Sequence, residues 1–177
     1  MPDRIAVIIG ARGGIGAALA DALDTGDQYD RVIPLHRTSA PAIDILDEAS
    51  IAAAANDLAG TAPQLVIVAT GLLHTANKGP EKSLRQLDPD WMMENYRINA
   101  VGPALVAKHF LPIMAKQGPI CFAALSARVG SISDNRLGGW HSYRASKAAL
   151  NMLPCQPRWR VCRRWPMASH SSRHPSC

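Results

Sequence analysis

The sequence predicts an α/β protein built on a doubly wound parallel sheet, and three observations carry that expectation. Apolar runs recur at Ile5–Ile9, Arg31–His36, Gln64–Thr70 and Pro119–Leu125. Continuous apolar character marks strands buried on both faces, as parallel strands are. The runs alternate with stretches of helical period, which is the rhythm of βαβ units. The first run also passes directly into Gly10-Ala-Arg-Gly-Gly-Ile-Gly16 and then into a helical pattern over Ala17–Leu23.

That strand, glycine turn and helix form a site for a phosphate-bearing ligand. Glycines let the backbone approach a pyrophosphate, and the helix N-terminus presents unpaired N–H groups and the positive end of its dipole. The spacing is G-x-x-x-G-x-G, and no Gly-Lys-Ser/Thr follows, so the turn is not a P-loop. The second strand ends in His36-Arg37-Thr38-Ser39. An NAD-preferring site has an acidic residue here, bonded to the ribose 2′-hydroxyl. Arg37 stands there instead, with Arg12 inside the glycine turn. A pair of guanidiniums suits a 2′-phosphate, so NADP(H) is preferred, with NAD(H) as the second choice.

Ala42-Ile-Asp-Ile-Leu46 reads as a short third strand. Asp44 either accepts from an adenine amino group or serves as a cap, since Asp47 and Ser50 open the alanine-rich helix that runs to Leu58. Gly71 closes the strand Gln64–Thr70, where backbone can approach a ribose. Leu72 to Leu87 is a polar loop whose Lys78, Lys82 and Arg85 read as a solvated surface. Asp88-Pro89 opens the next helix, with Asp as cap and Pro in the first turn. That helix runs to about Ala115, with a kink at Pro103 and a late stop at Pro112. Asn99 sits in its apolar middle and must find partners, either a water at a local break or a neighbouring backbone group. Ser126 ends the strand Pro119–Leu125 in the layer where ligands bind.

Tyr143-Arg-Ala-Ser-Lys147 lies in a segment of helical period. Residues four apart share a helix face, which puts a phenol beside an ammonium. A nearby positive charge favours phenolate, so the expected Tyr143 pKa is below the usual value of about 10. Such a phenol can exchange a proton with a carbonyl or alcohol oxygen.

Length and composition suit one domain. The net charge of +5 comes wholly from the five arginines of residues 154–177, where no acid occurs. The body is therefore formally neutral, which argues against specific nucleic-acid binding. No apolar run approaches the ~20 residues of a membrane span. Three of the four cysteines (Cys155, Cys162 and Cys177) also lie in that last segment. Cys121 alone remains in the body, so a reducing cytoplasm is the expected location.

Taken together, these residues resemble the short-chain dehydrogenase/reductase family, and within it the C-factor-like and sniffer-like carbonyl reductases. The resemblance spans Ile5 to about Leu153. It is carried by Gly10–Gly16, Asp44-Ile45, Ala69-Thr-Gly71, Asn99-Ala-Val-Gly102, the Ser126–Asn135 run and Gly138 through Lys147. It implies a Rossmann-like, three-layer α/β/α fold missing its last strands. It also implies an NADP(H)-dependent oxidoreductase acting on a small carbonyl or alcohol substrate. By the same resemblance Tyr143 is the general acid/base and Lys147 tunes it while bonding the nicotinamide ribose. Asn99 holds a relay water and a serine orients the substrate. Gly10, Arg12, Gly14, Ile15, Gly16, Arg37, Asp44, Ile45, Ala69, Gly71, Asn99, Tyr143 and Lys147 contact the cofactor; no metal is expected. The usual catalytic serine aligns with Ala127, so Ser126, or else Ser131, takes that place. A homodimer or homotetramer would form through the helices of residues 90–115 and 143–153. The alternative is a non-catalytic nucleotide-binding or signalling protein of C-factor type.

After Met152 the character changes. Residues 154–177 are crowded with Arg, Pro, Cys, Trp, His and Ser and show neither helical nor strand period. They read as an aberrant, disordered basic tail, produced by translation out of frame, beyond an incomplete domain of residues 1–153. Pro154 and Pro157 would end the Tyr143 helix early and leave an uncovered sheet edge.

Overall fold

The computed structural model describes residues 3–136 and 138–153, together with the backbone of strand Trp159–Cys162. Its centre is a parallel sheet of β1 (Ile5–Ile9), β2 (Arg31–Leu35), β3 (Leu65–Val68), β4 (Cys121–Leu125) and β5 (Trp159–Cys162), ordered β2-β1-β3-β4-β5. All neighbouring pairs are parallel, with Ile5 opposite Arg31, Ala6 opposite Leu65 and Leu65 opposite Cys121. The chain leaves β1 for β2 on one side and returns to β3 on the other. Their carboxyl ends therefore part into the crevice where doubly wound sheets take ligands.

Every residue of β1 is buried. Side chains alternate across a strand. Ile5, Val7 and Ile9 enter a large core with Val66, Val68, Phe110, Phe122 and Leu150, under helices α2 (Glu48–Asp57), α4 (Gly102–Phe110) and α5 (His141–Met152). Ile8 faces the other way, onto Leu19 of α1 (Gly14–Asp24). The expected α/β fold with helices on both faces is thus present, with α1 alone on the second face among the described residues.

Three local expectations are corrected. Ala42–Leu46 is not a strand. Its polar groups go to turns: Ile43 N–H donates to His36 O, Leu46 N–H to Asp44 Oδ1 and Asp44 N–H to Ser50 Oγ. The alternating isoleucines arise because Ile43 is buried under the sheet edge while Ile45 packs against Gly102, where a Cβ would stand 2.3 Å from Ile45 Cγ1. The long helix is also divided. α3 (Pro89–Tyr96), capped by Asp88, passes into a π-turn over Arg97–Val101 before α4 and a 3₁₀ turn, Leu111–Ile113. A π-turn relaxes the regular hydrogen-bond ladder and places Pro103 in α4's first turn, where a missing N–H costs nothing. Finally, Trp159–Cys162 pairs with Phe122–Leu125 of β4. That edge is occupied and not bare, because unpaired strand backbone demands a partner, and four residues are too few for a period to show. The expected disorder of residues 154–177 otherwise lies outside the described residues.

Candidate active site

At the carboxyl ends of β1 and β3 lies a cleft of about 590 Å³. Gly10, Arg12, Arg37, Asp44, Ile45, Ala69 and Gly71 line it, beside Gly13, His36, Thr38, Thr70 and Ile98. Gly10 adopts φ +89°, and a Cβ there would meet Thr70 Cγ2 at 2.9 Å. A Cβ on Gly16 would stand 2.2 Å from Gly10 O, so the turn and α1 close on each other only through hydrogen. Gly14 has nothing within 4 Å of its Cβ position, and the Ile15 side chain is 61% exposed; neither lines the cleft.

At the β2 end, Arg12 Nη1 donates to Thr38 Oγ1 at 3.2 Å, and Thr38 N–H donates to His36 Nδ1 at 3.2 Å. Because Nδ1 accepts there, a neutral His36 carries its proton on Nε2. The Arg12 and Arg37 side chains are exposed at the rim. Asp44 turns its carboxylate inward on its own chain, to Leu46 N–H, and Asp47 is the helix cap, bonded to Ala49 N–H.

Gly71 joins this cleft to the expected acid/base residues. A Cβ on Gly71 would stand 3.5 Å from both Asn99 Oδ1 and Lys147 Nζ. Asn99 is fully buried in the π-turn, a local break in the helix. Its Oδ1 accepts from Leu72 N–H at 2.8 Å, and its Nδ2 donates to Leu72 O at 2.8 Å and Ser146 Oγ at 3.0 Å. Thus it clamps a distant peptide, not a neighbouring one. Lys147 Nζ donates to Leu125 O at 2.8 Å and lies 5.8 Å from the centre of the Tyr143 ring. Helical spacing does bring the phenol and the ammonium together.

The direction of the tyrosine shift is corrected. Burial raises the Tyr143 pKa above 10 by penalising the phenolate. The same burial lowers Lys147 to about 8, since a buried ammonium is also costly. Desolvation sets both shifts, and Tyr143 remains a protonated phenol throughout the neutral range.

Ser126 Oγ donates to Asn151 Oδ1 at 2.8 Å, and Asn151 Nδ2 donates to Gly130 O at 3.1 Å. Asn151 follows Tyr143 by eight residues, roughly 12 Å along the helix axis. Ser131 Oγ lies 3.3 Å from Ser133 Oγ in the exposed loop.

Several residues near the site gave little signal in the sequence. Ser142 and Ser146 flank Tyr143 and are fully buried, and Glu81 is only 4% exposed although its loop reads as solvated. Within that loop Lys78 pairs with Asp88 and lies 5.3 Å over the Trp91 ring, so it is not free surface charge. Thr70 Oγ1 is buried at the cleft without a hydrogen-bond partner among the described residues. The spacing of Ser142 and Ser146, four apart in a helix, was the one available clue.

A family model described as enoyl-(acyl carrier protein) reductase matches residues 11–154. Among curated proteins, the chain is 31% identical over 116 residues to the 1-hydroxy-2-glutathionyl-2-methyl-3-butene dehydrogenase of Rhodococcus sp. (strain AD45), covering 66% of this chain and 49% of that enzyme. It is 39% identical over 70 residues to C-signal of Myxococcus xanthus, covering 40% of this chain and 42% of that protein. The chain thus spans about half the length, or less, of these curated relatives. Among solved structures it resembles the NADPH-bound carbonyl reductase from chicken fatty liver, with a TM-score of 0.71, 26% identity, and coverage of 85% of this chain and 68% of that one. The Sniffer carbonyl reductase of D. melanogaster shares the fold at a TM-score of 0.72 and 21% identity, with coverage of 85% and 72%. With its phosphate-type glycine turn, its Tyr–Lys pair and this match over most of its length, the chain belongs to the short-chain dehydrogenase/reductase family of oxidoreductases.

Proposed function

We propose that this protein is an NADP(H)-dependent oxidoreductase that interconverts a small carbonyl compound and its alcohol. The observation that carries the reading is the junction at Gly71, where the cleft wall meets Lys147 Nζ and Asn99 with the Tyr143 ring beyond. The cleft fits a dinucleotide. Its glycine turn packs against Thr70 and closes on α1 only because no Cβ stands at Gly10 or Gly16, and the Thr70 hydroxyl, buried without a partner among the described residues, is a donor waiting for an acceptor. Arg12 and Arg37 would hold a 2′-phosphate, with Thr38 orienting the Arg12 guanidinium.

When bound, the nicotinamide supplies or accepts the hydride. The chain's own residues manage the proton. Protonated Tyr143 donates from its hydroxyl to the developing alkoxide, which suits the reductive direction near neutral pH. Lys147 holds the ribose and keeps a positive charge next to the phenol until the pH passes about 8. Asn99 fixes the Leu72 peptide and, through Ser146, the helix that carries Tyr143. Ser126 polarises the carbonyl once it exchanges its bond to Asn151, with Ser131 as the alternative. Self-association through the helices of residues 90–115 and 143–153 belongs to the same reading; Met93, Val101 and Met152 are exposed there.

Fluorescence titration with NADPH and NADH, followed by a carbonyl-reduction assay, tests the proposal. The expected result is saturable NADPH binding, tighter than NADH by about tenfold or more, and turnover lost in Tyr143→Phe with binding retained. Saturable binding without any hydride transfer would instead favour a non-catalytic role like that of a signalling protein. No binding of either cofactor would overturn the assignment.

A further inference from the structure

Helix α5 begins without a cap of its own. Trp140, at the N-cap position, is left-handed with φ 52° and makes no side-chain capping bond. The preceding residues are Gly138 and Gly139, both also at positive φ. A helix start of this kind leaves N–H groups open unless something distant supplies acceptors. Glu81 does so from 61 residues away. One carboxylate oxygen accepts from Ser142 N–H at 3.3 Å, the other from the Ser142 hydroxyl in a short bond, and the Glu81 backbone carbonyl accepts from Trp140 N–H. A Cβ on Gly139 would stand 3.2 Å from that carbonyl, so the turn fits Glu81 closely.

Glu81 is 4% exposed, and Ser142 is fully buried. A buried carboxyl group is accommodated where a helix N-terminus offers unpaired N–H donors. The next residue in the chain is Tyr143. One turn on, Ser146 accepts from Asn99 Nδ2 and donates to Tyr143 O, and Asn99 grips Leu72. Tyr143 is therefore bracketed by two buried serines, each tied to the same segment that follows β3. Leu72 anchors one end of the helical turn and Glu81 the other.

We propose that Glu81 is a positioning residue for Tyr143: its carboxylate latches the first turn of α5 and so sets where the phenol stands relative to the Gly71 end of the cleft. The inference rests on the oxidoreductase reading only for Tyr143's role. The latch itself is a property of the chain without cofactor, and it is tested that way.

The experiment is native-state amide hydrogen exchange on the full chain and on Glu81→Ala, Glu81→Gln and Ser142→Ala. In parallel, tyrosinate ionisation is followed by ultraviolet difference spectroscopy, with Tyr143→Phe used to assign the signal. In Glu81→Ala the amides of residues 140–146 should exchange about tenfold faster or more, while those of β1 stay within about threefold. Glu81→Gln, which keeps an acceptor for Ser142 N–H, should stay within about threefold throughout. Ser142→Ala, which removes one contact and remains the test should the Ala variant not fold, should fall between them. The Tyr143 midpoint, raised by burial in the parent, should drop towards 10 in Glu81→Ala and hold in Glu81→Gln. A uniform rise in exchange across the chain, or none at residues 140–146, overturns the latch. Local loosening with an unmoved Tyr143 midpoint overturns the positioning role. NADPH titration of the same proteins keeps the two readings apart: a parent that fails to bind sinks the oxidoreductase assignment alone, and unchanged exchange with normal binding sinks the latch alone.

Discussion

Gly14 and Gly16 sit two residues apart and do different work. A methyl at Gly16 would be driven into Gly10 O, 2.2 Å away, and the backbone on both sides would have to shift. Overpacking of that kind costs about 1–3 kcal/mol, so urea unfolding of Gly16→Ala should show a loss in that range together with lost NADPH binding. At Gly14 a methyl meets nothing within 4 Å. Gly14→Ala should be as stable as the parent, or more so by about 0.4–1 kcal/mol, yet bind NADPH more weakly if the phosphates approach the turn there. Equal affinity in parent and variant would remove Gly14 from the cofactor site. Lys147 is the other residue whose surroundings dictate a measurable number. Its folded pKa of about 8 lies below the ordinary 10.5. Between those values the unfolded chain holds more protons than the folded one, so stability rises with pH across that window. Lysine NMR titration should place Nζ near 8. Unfolding free energies should show the parent gaining on Lys147→Met from pH 8 to 10.5, by an amount on the order of 3 kcal/mol at most. Part of this was legible in the chain and part was not. The glycine turn announces itself because the contact between Gly16 and Gly10 that demands glycine is local, although Gly10 answers also to the distant Thr70. The Tyr–Lys pairing is legible from helical spacing for the same reason. The sign of the tyrosine shift is not, since it depends on how deeply distant segments bury the ring.

At the scale of elements, the π-turn Arg97–Val101 is what presents Asn99 to the chain leaving β3. π-turns of this sort recur at functional sites because they reorient one side chain without ending the helix. Asn99 bonds both polar groups of Leu72, so Asn99→Ala would leave a part-buried N–H and C=O without these partners. Each such loss costs about 1–3 kcal/mol. The expected outcome is a clear fall in the urea midpoint, with the largest gain in hydrogen exchange at residues 71–73 and in the first turns of α5. A variant as stable as the parent would mean that the clamp carries no weight. The sequence showed a helix interrupted near Asn99 and Pro103 but not its form, because π and α turns share nearly the same side-chain period. The segment Ala42–Leu46 misled for a related reason. Two isoleucines flanking an aspartate have the alternation of a strand, while the hydrogen bonds that decide the matter run to His36 and Ser50. Glu81 was invisible in its loop because its partner lies 61 residues on.

For the whole molecule, the strand order β2-β1-β3-β4-β5 matters because it parts the chain on either side of β1 and lets the cleft draw walls from the ends of β1, β2 and β3. A ligand that spans those walls ties separate segments together, and anything that binds only the folded state stabilises it by mass action. At a hundred times its dissociation constant a cofactor adds about 2.7 kcal/mol, which for a domain of this size is a rise of roughly 5–10 °C in Tm. NADP⁺ should therefore raise Tm by several degrees at a concentration where NAD⁺ does little. The difference should come from the rim arginines. Arg37 is exposed, and its side chain contributes no hydrogen bond or ion pair among the described residues. Arg37→Ala should accordingly melt at the parent's temperature without ligand, yet lose most of the separation between NADP⁺ and NAD⁺. Arg12→Ala, which also frees Thr38 from the 3.2 Å bond, should weaken both cofactors and reduce the separation further. If Arg37→Ala keeps the full NADP⁺ advantage, the 2′-phosphate is read elsewhere in the cleft, and His36, on the same rim, becomes the next position to vary.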